Sequence, residues 1–182
     1  MIIVSICGSA GRNGSHTRIT LALFNKLYNV FNDSIFKLHN DIKSMYNTEH
    51  KITLMSGGAA FVDHIAVRIY LNNLDRYKLH LALPCNITVN GFTGNKVAET
   101  ASYYHDLFRK QTSINSVSEI IQAIQKGATF SIHNGFKERN TVIANCNYIL
   151  ASSWGPNPTG GTKNTYDKCQ TVQKFYINLD TL

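Results

Sequence analysis

Four short stretches place residues able to hold an anion where an apolar run gives way to a helical pattern. In one, Thr159-Gly160-Gly161-Thr162-Lys163-Asn164-Thr165 follows the apolar run Tyr148-Ile149-Leu150-Ala151 and precedes a helical pattern through Tyr166, Cys169 and Val172. Glycines at such a junction let the backbone approach a ligand closely, and the first turn of a helix offers amide hydrogens that no helical carbonyl uses. Phosphate is the usual partner of that arrangement. A second junction lies between Cys7 and Ser15, where Gly8, Gly11, Gly14, Ser9 and Arg12 precede a helix marked by Ile19, Leu23, Leu27 and Val30. Ser15 reads as the cap of that helix. In the third, Ser56-Gly57-Gly58-Ala59-Ala60-Phe61-Val62-Asp63 follows the run Ile52 to Met55, and Asp63 falls early in the next helix. A carboxylate there is favourable in the helix dipole, and it can also orient the loop or meet a ligand hydroxyl. The fourth, Phe136-Lys137-Glu138-Arg139-Asn140, starts an amphipathic helix. A guanidinium at Arg139 can grip a phosphate with two parallel hydrogen bonds, or pair at the surface with Glu138 or Asp167.

These stretches fall into a regular alternation. Apolar runs predict strands at Ile2–Ile6, Ile52–Met55, Leu79–Leu83, Thr129–Ile132, Tyr148–Ala151 and Phe175–Leu179. Between them, helical periodicity groups Val62, Ala66, Ile69 and Asn73, then Val97, Ala101, Tyr104 and Phe108, then Val117, Ile120, Ile121 and Ile124. Residues 40–51 read as a polar connection, and Cys85 to Asn95, with Gly91 and Gly94, as a plain connection in preference to a loop that closes over a site. Tyr103, Tyr104 and His105 read as helix-face core rather than as a stacking platform for bases. Strands alternating with helices predict an α/β fold, a doubly wound and mostly parallel sheet with helices on both faces, over residues 1–182 as one domain. Ligands of such sheets bind beyond the carboxyl ends of the strands, the edge on which all four stretches lie.

Composition narrows the partners without choosing among them. The 182 residues carry a formal charge of +7, which suits a nucleotide, a nucleic acid or a membrane surface. The basic residues are scattered, which favours a solvated positive surface over a nucleic-acid tail. Cys7, Cys85, Cys146 and Cys169 are far apart and lack the paired spacing of a zinc site, so no metal is expected. No apolar run reaches the roughly 18 residues of a membrane span, and the N-terminus lacks a signal-peptide start. The expectation is a cytoplasmic, soluble protein with reduced thiols and no membrane partner.

Three of the motifs, in this order and separation, resemble the Rossmann-like SLOG superfamily, which includes the bacterial DNA-processing protein A and the lonely-guy phosphoribohydrolases. The stretch "MSGGAAFVDHIA" is similar to the superfamily's Ser-Gly-Gly-Ala-x-Gly-x-Asp segment, with Phe61 in place of its third glycine. "ERNTVIA" resembles the Arg-Asn-x-x-Ile-Ala helix start of the DNA-processing branch, and "TGGTKNT" its Ser-Gly-Thr-x-x-Thr turn. The resemblance covers most of residues 1–180. It implies a pocket for a nucleotide phosphate and ribose, formed by Gly8, Ser9, Ser56, Gly57, Gly58, Asp63, Arg139, Asn140, Gly160, Gly161, Thr162 and Thr165, with no separate cofactor. It also implies a homodimer or higher oligomer, for which the helices between Val97 and Ile124 are candidates.

The hydrolase branch carries a glutamate in Pro-Gly-Gly-x-Gly-Thr-x-x-Glu, and here Thr165 stands at its place. A threonine hydroxyl can neither serve as a carboxylate base nor balance a developing oxocarbenium charge. Two functions therefore follow. One is a binding protein for a nucleotide, a nucleotide-derived signal or single-stranded nucleic acid. The other is a nucleoside 5′-monophosphate N-glycosidase, with Glu138 or Asp167 supplying the missing catalytic carboxylate.

Overall fold

The structure is a computed structural model that describes residues 1–46, 51–171 and 173–182. In chain order it runs β1 (Ile2–Gly8), α1 (Leu21–Tyr46), β2 (Ile52–Ser56), α2 (His64–Asn72), β3 (Tyr77–Leu83), β4 (Asn86–Thr88), β5 (Gly91–Thr93), α3 (Lys96–Thr112), α4 (Ser116–Gln125), β6 (Thr129–Ile132), α5 (Phe136–Ile143), β7 (Tyr148–Ser153), α6 (Gly160–Lys168) and β8 (Gln173–Asn178). The main sheet has the order β6-β3-β2-β1-β7-β8, and every neighbouring pair in it is parallel. This is the Rossmann-like, doubly wound α/β fold that the alternation predicts. Strands progress outward from β1 in one direction through β2, β3 and β6, and in the other through β7 and β8.

Side-chain alternation along the strands divides the interior in two. Val4 and Ile6 of β1 and Leu150 of β7 face the larger core, built with α1, α2, α3 and α4. Cys7, Ile149 and Ala151 face the smaller one, closed by Ile143 and Ala144 at the end of α5 and by Cys169 after α6. The larger core holds Phe24, Phe61 and Phe108, all fully buried, with ring centroids 5.3 to 6.4 Å apart. Full burial of each such side chain contributes about 1.5–3 kcal/mol.

Several expectations give way locally. Ser15 does not cap α1. It opens a 3-10 turn (Ser15–Arg18), its hydroxyl donates to the Arg12 carbonyl, and Thr20 Oγ1 instead accepts from Leu23 N at 3.1 Å. The connection expected at 40–51 is shorter, because α1 continues to Tyr46, and residues 47–50 lie outside the described residues. Cys85 to Asn95 is not a plain connection, since β4 and β5 pair there as an antiparallel hairpin. α6 ends at Lys168, Val172 lies outside the described residues, and Leu179 belongs to a second 3-10 turn (Leu179–Thr181) rather than to β8. Among the described residues, no helix is long and apolar enough to cross a membrane.

Candidate functional site

β1 and β7 are the pair at which the winding reverses, and their ladder ends at Gly8 opposite Ser152. Directly beyond these ends opens a cleft of about 500 Å³. Its walls come from the loop after β1, the start of α5, the loop after β7 and the first turn of α6. Of the residues expected at a phosphate site, Gly8, Ser9, Asp63, Arg139, Asn140, Gly160, Gly161, Thr162 and Thr165 line this one cleft. Ser56, Gly57 and Gly58 are outside its lining: Gly57 and Gly58 border a smaller cavity that shares Arg12, Phe136 and Arg139 with it, and Ser56 Oγ donates to the Asp63 carbonyl and accepts from Gly58 N, which shapes the turn after β2.

The floor is a network of committed groups. Asp63, 2% exposed, accepts from Gly8 N at 2.9 Å through Oδ1, and its Oδ2 lies 3.7 Å from Arg139 Nη1. Burial raises the Asp63 pKa, opposed by the Arg139 charge and by the backbone amides of Gly8, Ala59 and Gly57. Arg139, 9% exposed, donates from Nη1 to the Gly57 carbonyl at 2.9 Å, and from Nε and Nη2 to Asn140 Oδ1 at 3.2 and 3.0 Å. Burial lowers its pKa, and the Asp63 carboxylate counters that. Neither surface partner expected for Arg139 is its partner; the buried Asp63 is. Three of its five N–H groups are occupied, which leaves one N–H on each of Nη1 and Nη2. Asn140 Nδ2 reaches the Gly161 carbonyl and Asn164 Oδ1, both at 3.4 Å, which ties α5 to α6.

Two glycines are required by this packing. A Cβ on Gly57 would lie 2.4 Å from Arg139 Nη1, and one on Gly8 would lie 2.3 Å from the Ser152 carbonyl oxygen. Cys7 sits at the same floor as a neutral thiol, its pKa pushed well up by burial and then by the Asp63 charge. Such a thiol is a packing group rather than a nucleophile.

The rim is different. Thr159, before α6, makes no side-chain cap, and the first helical-type bond there runs from Lys163 N to the Thr159 carbonyl. The amides of Gly160, Gly161 and Thr162 therefore have no intrahelical acceptor. Arg12 is exposed on the facing loop, with its guanidinium 4.7 Å from the Phe136 ring centroid and 5.5 Å from that of Tyr104. Trp154 stacks on Phe61 at 5.8 Å and lines the opposite wall. Arg12 and Phe136 belong to two of the four stretches though not to the pocket set that the resemblance implies, and Trp154 belongs to neither. For Trp154 a signal existed: it is the chain's single tryptophan, close behind the apolar run Tyr148–Ala151 and one residue beyond the end of β7.

The two carboxylates expected to act in catalysis stand outside the lining. Glu138, 57% exposed, accepts from Asn134 N at 3.0 Å and from His133 Nδ1 at 3.4 Å. Asp167, 55% exposed, pairs with Lys163 one helical turn away. Thr165 is buried, and its hydroxyl donates to the Gly161 carbonyl at 3.2 Å. Among the described residues, no group of three or more His, Cys, Asp or Glu side chains could hold a metal ion.

Fold and cleft together define a doubly wound α/β protein with a glycine-walled crevice at its topological switch point. The chain is 32% identical over 181 residues to "Uncharacterized protein R261" of Acanthamoeba polyphaga mimivirus, an alignment that covers 98% of this chain and 96% of the viral protein. It belongs to the family of that protein. No protein-family model matches it.

Proposed function

We propose that the cleft binds the phosphate of a nucleotide or nucleotide-derived small molecule, and that the protein is a binder of the SLOG type rather than an N-glycosidase. The observation that carries this reading is the uncapped first turn of α6, facing an exposed arginine across a cleft at the switch point. Helix amides and a cation converging on one space favour a phosphate group. Phe61 adds support to the resemblance. It stands where the superfamily motif has its third glycine, and it adopts φ 65°, the left-handed conformation that glycine takes without strain. Its burial among Phe24, Phe108 and Trp154 compensates the cost of about 1–2 kcal/mol.

Chemistry on the glycosidic bond has little support from the same cleft. Asp63 is the carboxylate in its lining, and it is already held by Gly8 N and Arg139. Glu138 and Asp167 make their interactions outside the lining, so neither stands where an acid for base departure is needed.

Thermal melting across a panel of nucleosides, nucleoside monophosphates, diphosphates and inorganic phosphate tests the binding reading. A ligand at a hundred times its Kd stabilises by about 2.7 kcal/mol, which raises Tm by about 5–10 °C for a chain of this length. A flat response to every phosphate-bearing compound contradicts the reading. Chromatography of the same mixtures detects released base, and none is expected.

A further inference from the structure

The end of the chain touches both loops that wall the cleft. After β8, the 3-10 turn Leu179–Thr181 anchors itself through buried Leu179, and Asp180 N donates to Asn178 Oδ1 at 3.0 Å. This turn sets the Asp180 carboxylate between two partners remote from each other in sequence. Oδ1 pairs with Arg18 Nη2, at the end of the turn that follows the β1 loop. Oδ2 accepts from Gly155 N at 2.8 Å, in the loop between β7 and α6. The Arg18 guanidinium in turn lies 5.2 Å from the centroid of the Trp154 ring, whose neighbour is Phe61. One carboxylate thus joins the loop of Trp154 to the turn bearing Arg18.

We infer that Asp180 is a positioning residue for the cleft: by holding Arg18 against Trp154 and fixing the Gly155 amide, it sets the wall that a bound nucleotide meets. The binding half of this inference rests on the reading under Proposed function. The wall itself does not, because it is a property of the unliganded protein. A merely adventitious surface pair would tie two long side chains at random. Here the same carboxylate also accepts a backbone amide, at a glycine with φ 91° where a side chain would be strained. Preorganised walls improve affinity by removing the ordering cost of binding.

Trp154 is the chain's single tryptophan, so its emission reports the wall directly. The wild-type protein is compared with Asp180→Ala, Asp180→Asn and Asp180→Glu by thermal melting, acrylamide quenching of tryptophan emission, and calorimetric titration with adenosine, guanosine, cytidine and uridine 5′-monophosphates. For Asp180→Ala the expected results are a Tm close to wild type, quenching raised about twofold, and affinity for whichever monophosphate binds reduced about fivefold. Asp180→Asn falls between, and Asp180→Glu restores most of the shielding. Unchanged quenching in Asp180→Ala overturns the inference. Raised quenching with unchanged affinity overturns it too, because the wall would then exist without serving the site. If the wild type binds none of the four monophosphates, quenching alone decides whether Asp180 holds the wall, and the nucleotide reading stands or falls separately on the wider melting panel. Should Asp180→Ala melt far below wild type, Arg18→Gln provides the same quenching readout while leaving the Asp180–Gly155 bond in place.

Discussion

The floor and the rim of the cleft are built from similar residue types but in opposite states of commitment. On the floor, Arg139 and Asn140 bond to one another and to the carbonyls of Gly57 and Gly161, while Asp63 accepts from Gly8 N through Oδ1 and sets its buried Oδ2, which makes no hydrogen bond, 3.7 Å from Arg139 Nη1. At the rim, Arg12 rests on two aromatic rings and the first amides of α6 have no helical acceptor. The difference teaches that recognisable motifs can play unlike parts: Asp63 and Arg139 frame the cleft, while the α6 turn and Arg12 are the groups that the proposed reading gives to a ligand. Floor substitutions should therefore damage folding, and rim substitutions should damage binding while leaving stability alone.

The largest effect is expected at Arg139. Replacement by leucine leaves Asp63 buried without its partner, and breaking such a pair costs about 3–5 kcal/mol, to be read from urea unfolding. Gly57→Ala comes next. Its new methyl group would press on a guanidinium held by three hydrogen bonds, with a loss of about 1–3 kcal/mol. If either variant were as stable as wild type, the floor would not be a frame.

Acid unfolding probes a third place, the α2–α4 contact, where Glu119 accepts from His64 Nε2 at 2.7 Å and from Arg68 Nε at 2.8 Å. Burial resists its ionisation, but the bonds from His64 and Arg68 prevail and lower its pKa to about 2. A depressed carboxylate stabilises the fold above its unfolded pKa. That contribution is present near pH 5 and above, and is lost as pH falls through about 2. Glu119→Gln should therefore flatten the acid limb of the Tm–pH profile in that window. An unchanged limb would place the acid sensitivity elsewhere.

At the rim, Arg12→Ala should leave Tm within about 2 °C of wild type while weakening nucleoside monophosphate binding about tenfold, the loss expected for one charged hydrogen bond. Smallest of all, Glu138→Gln and Asp167→Asn should change neither property measurably, since both side chains are exposed and outside the lining. Loss of binding in either would move the site away from the cleft described.

The order of elements was legible because buried parallel strands read as continuous apolar runs and glycine-bearing junctions separate them from helices. Gly8, Asp63, Arg139 and the α6 turn were legible as members of one edge for the same reason. The partnership of Asp63 with Arg139 was not, because it depends on the start of α2 meeting α5, elements far apart in sequence, which no local pattern encodes. The hairpin of β4 and β5 was hidden by its length, three residues a side. Arg12 and Trp154 face the cleft because loops with left-handed residues at Gly11, Asn13, Gly14 and Gly155 turn them there. Such loop conformations are set by tertiary contacts, among them the clasp of Asp180 at the other end of the chain.

Gly161→Glu separates frame from binding surface most directly. Gly161 is exposed, its φ is outside the left-handed region, and a Cβ there would meet only Asn140 Nδ2 at an ordinary 3.9 Å. A carboxylate in the first turn of α6 is favourable to the helix, by about 0.3–1 kcal/mol, but opposes any phosphate at its amides. Calorimetric titration of this variant with the nucleoside monophosphate that binds the wild type should show no binding, with Tm equal to or above wild type. Undiminished binding by a folded Gly161→Glu protein would contradict the account, because the phosphate would then lie somewhere other than the N-terminus of α6.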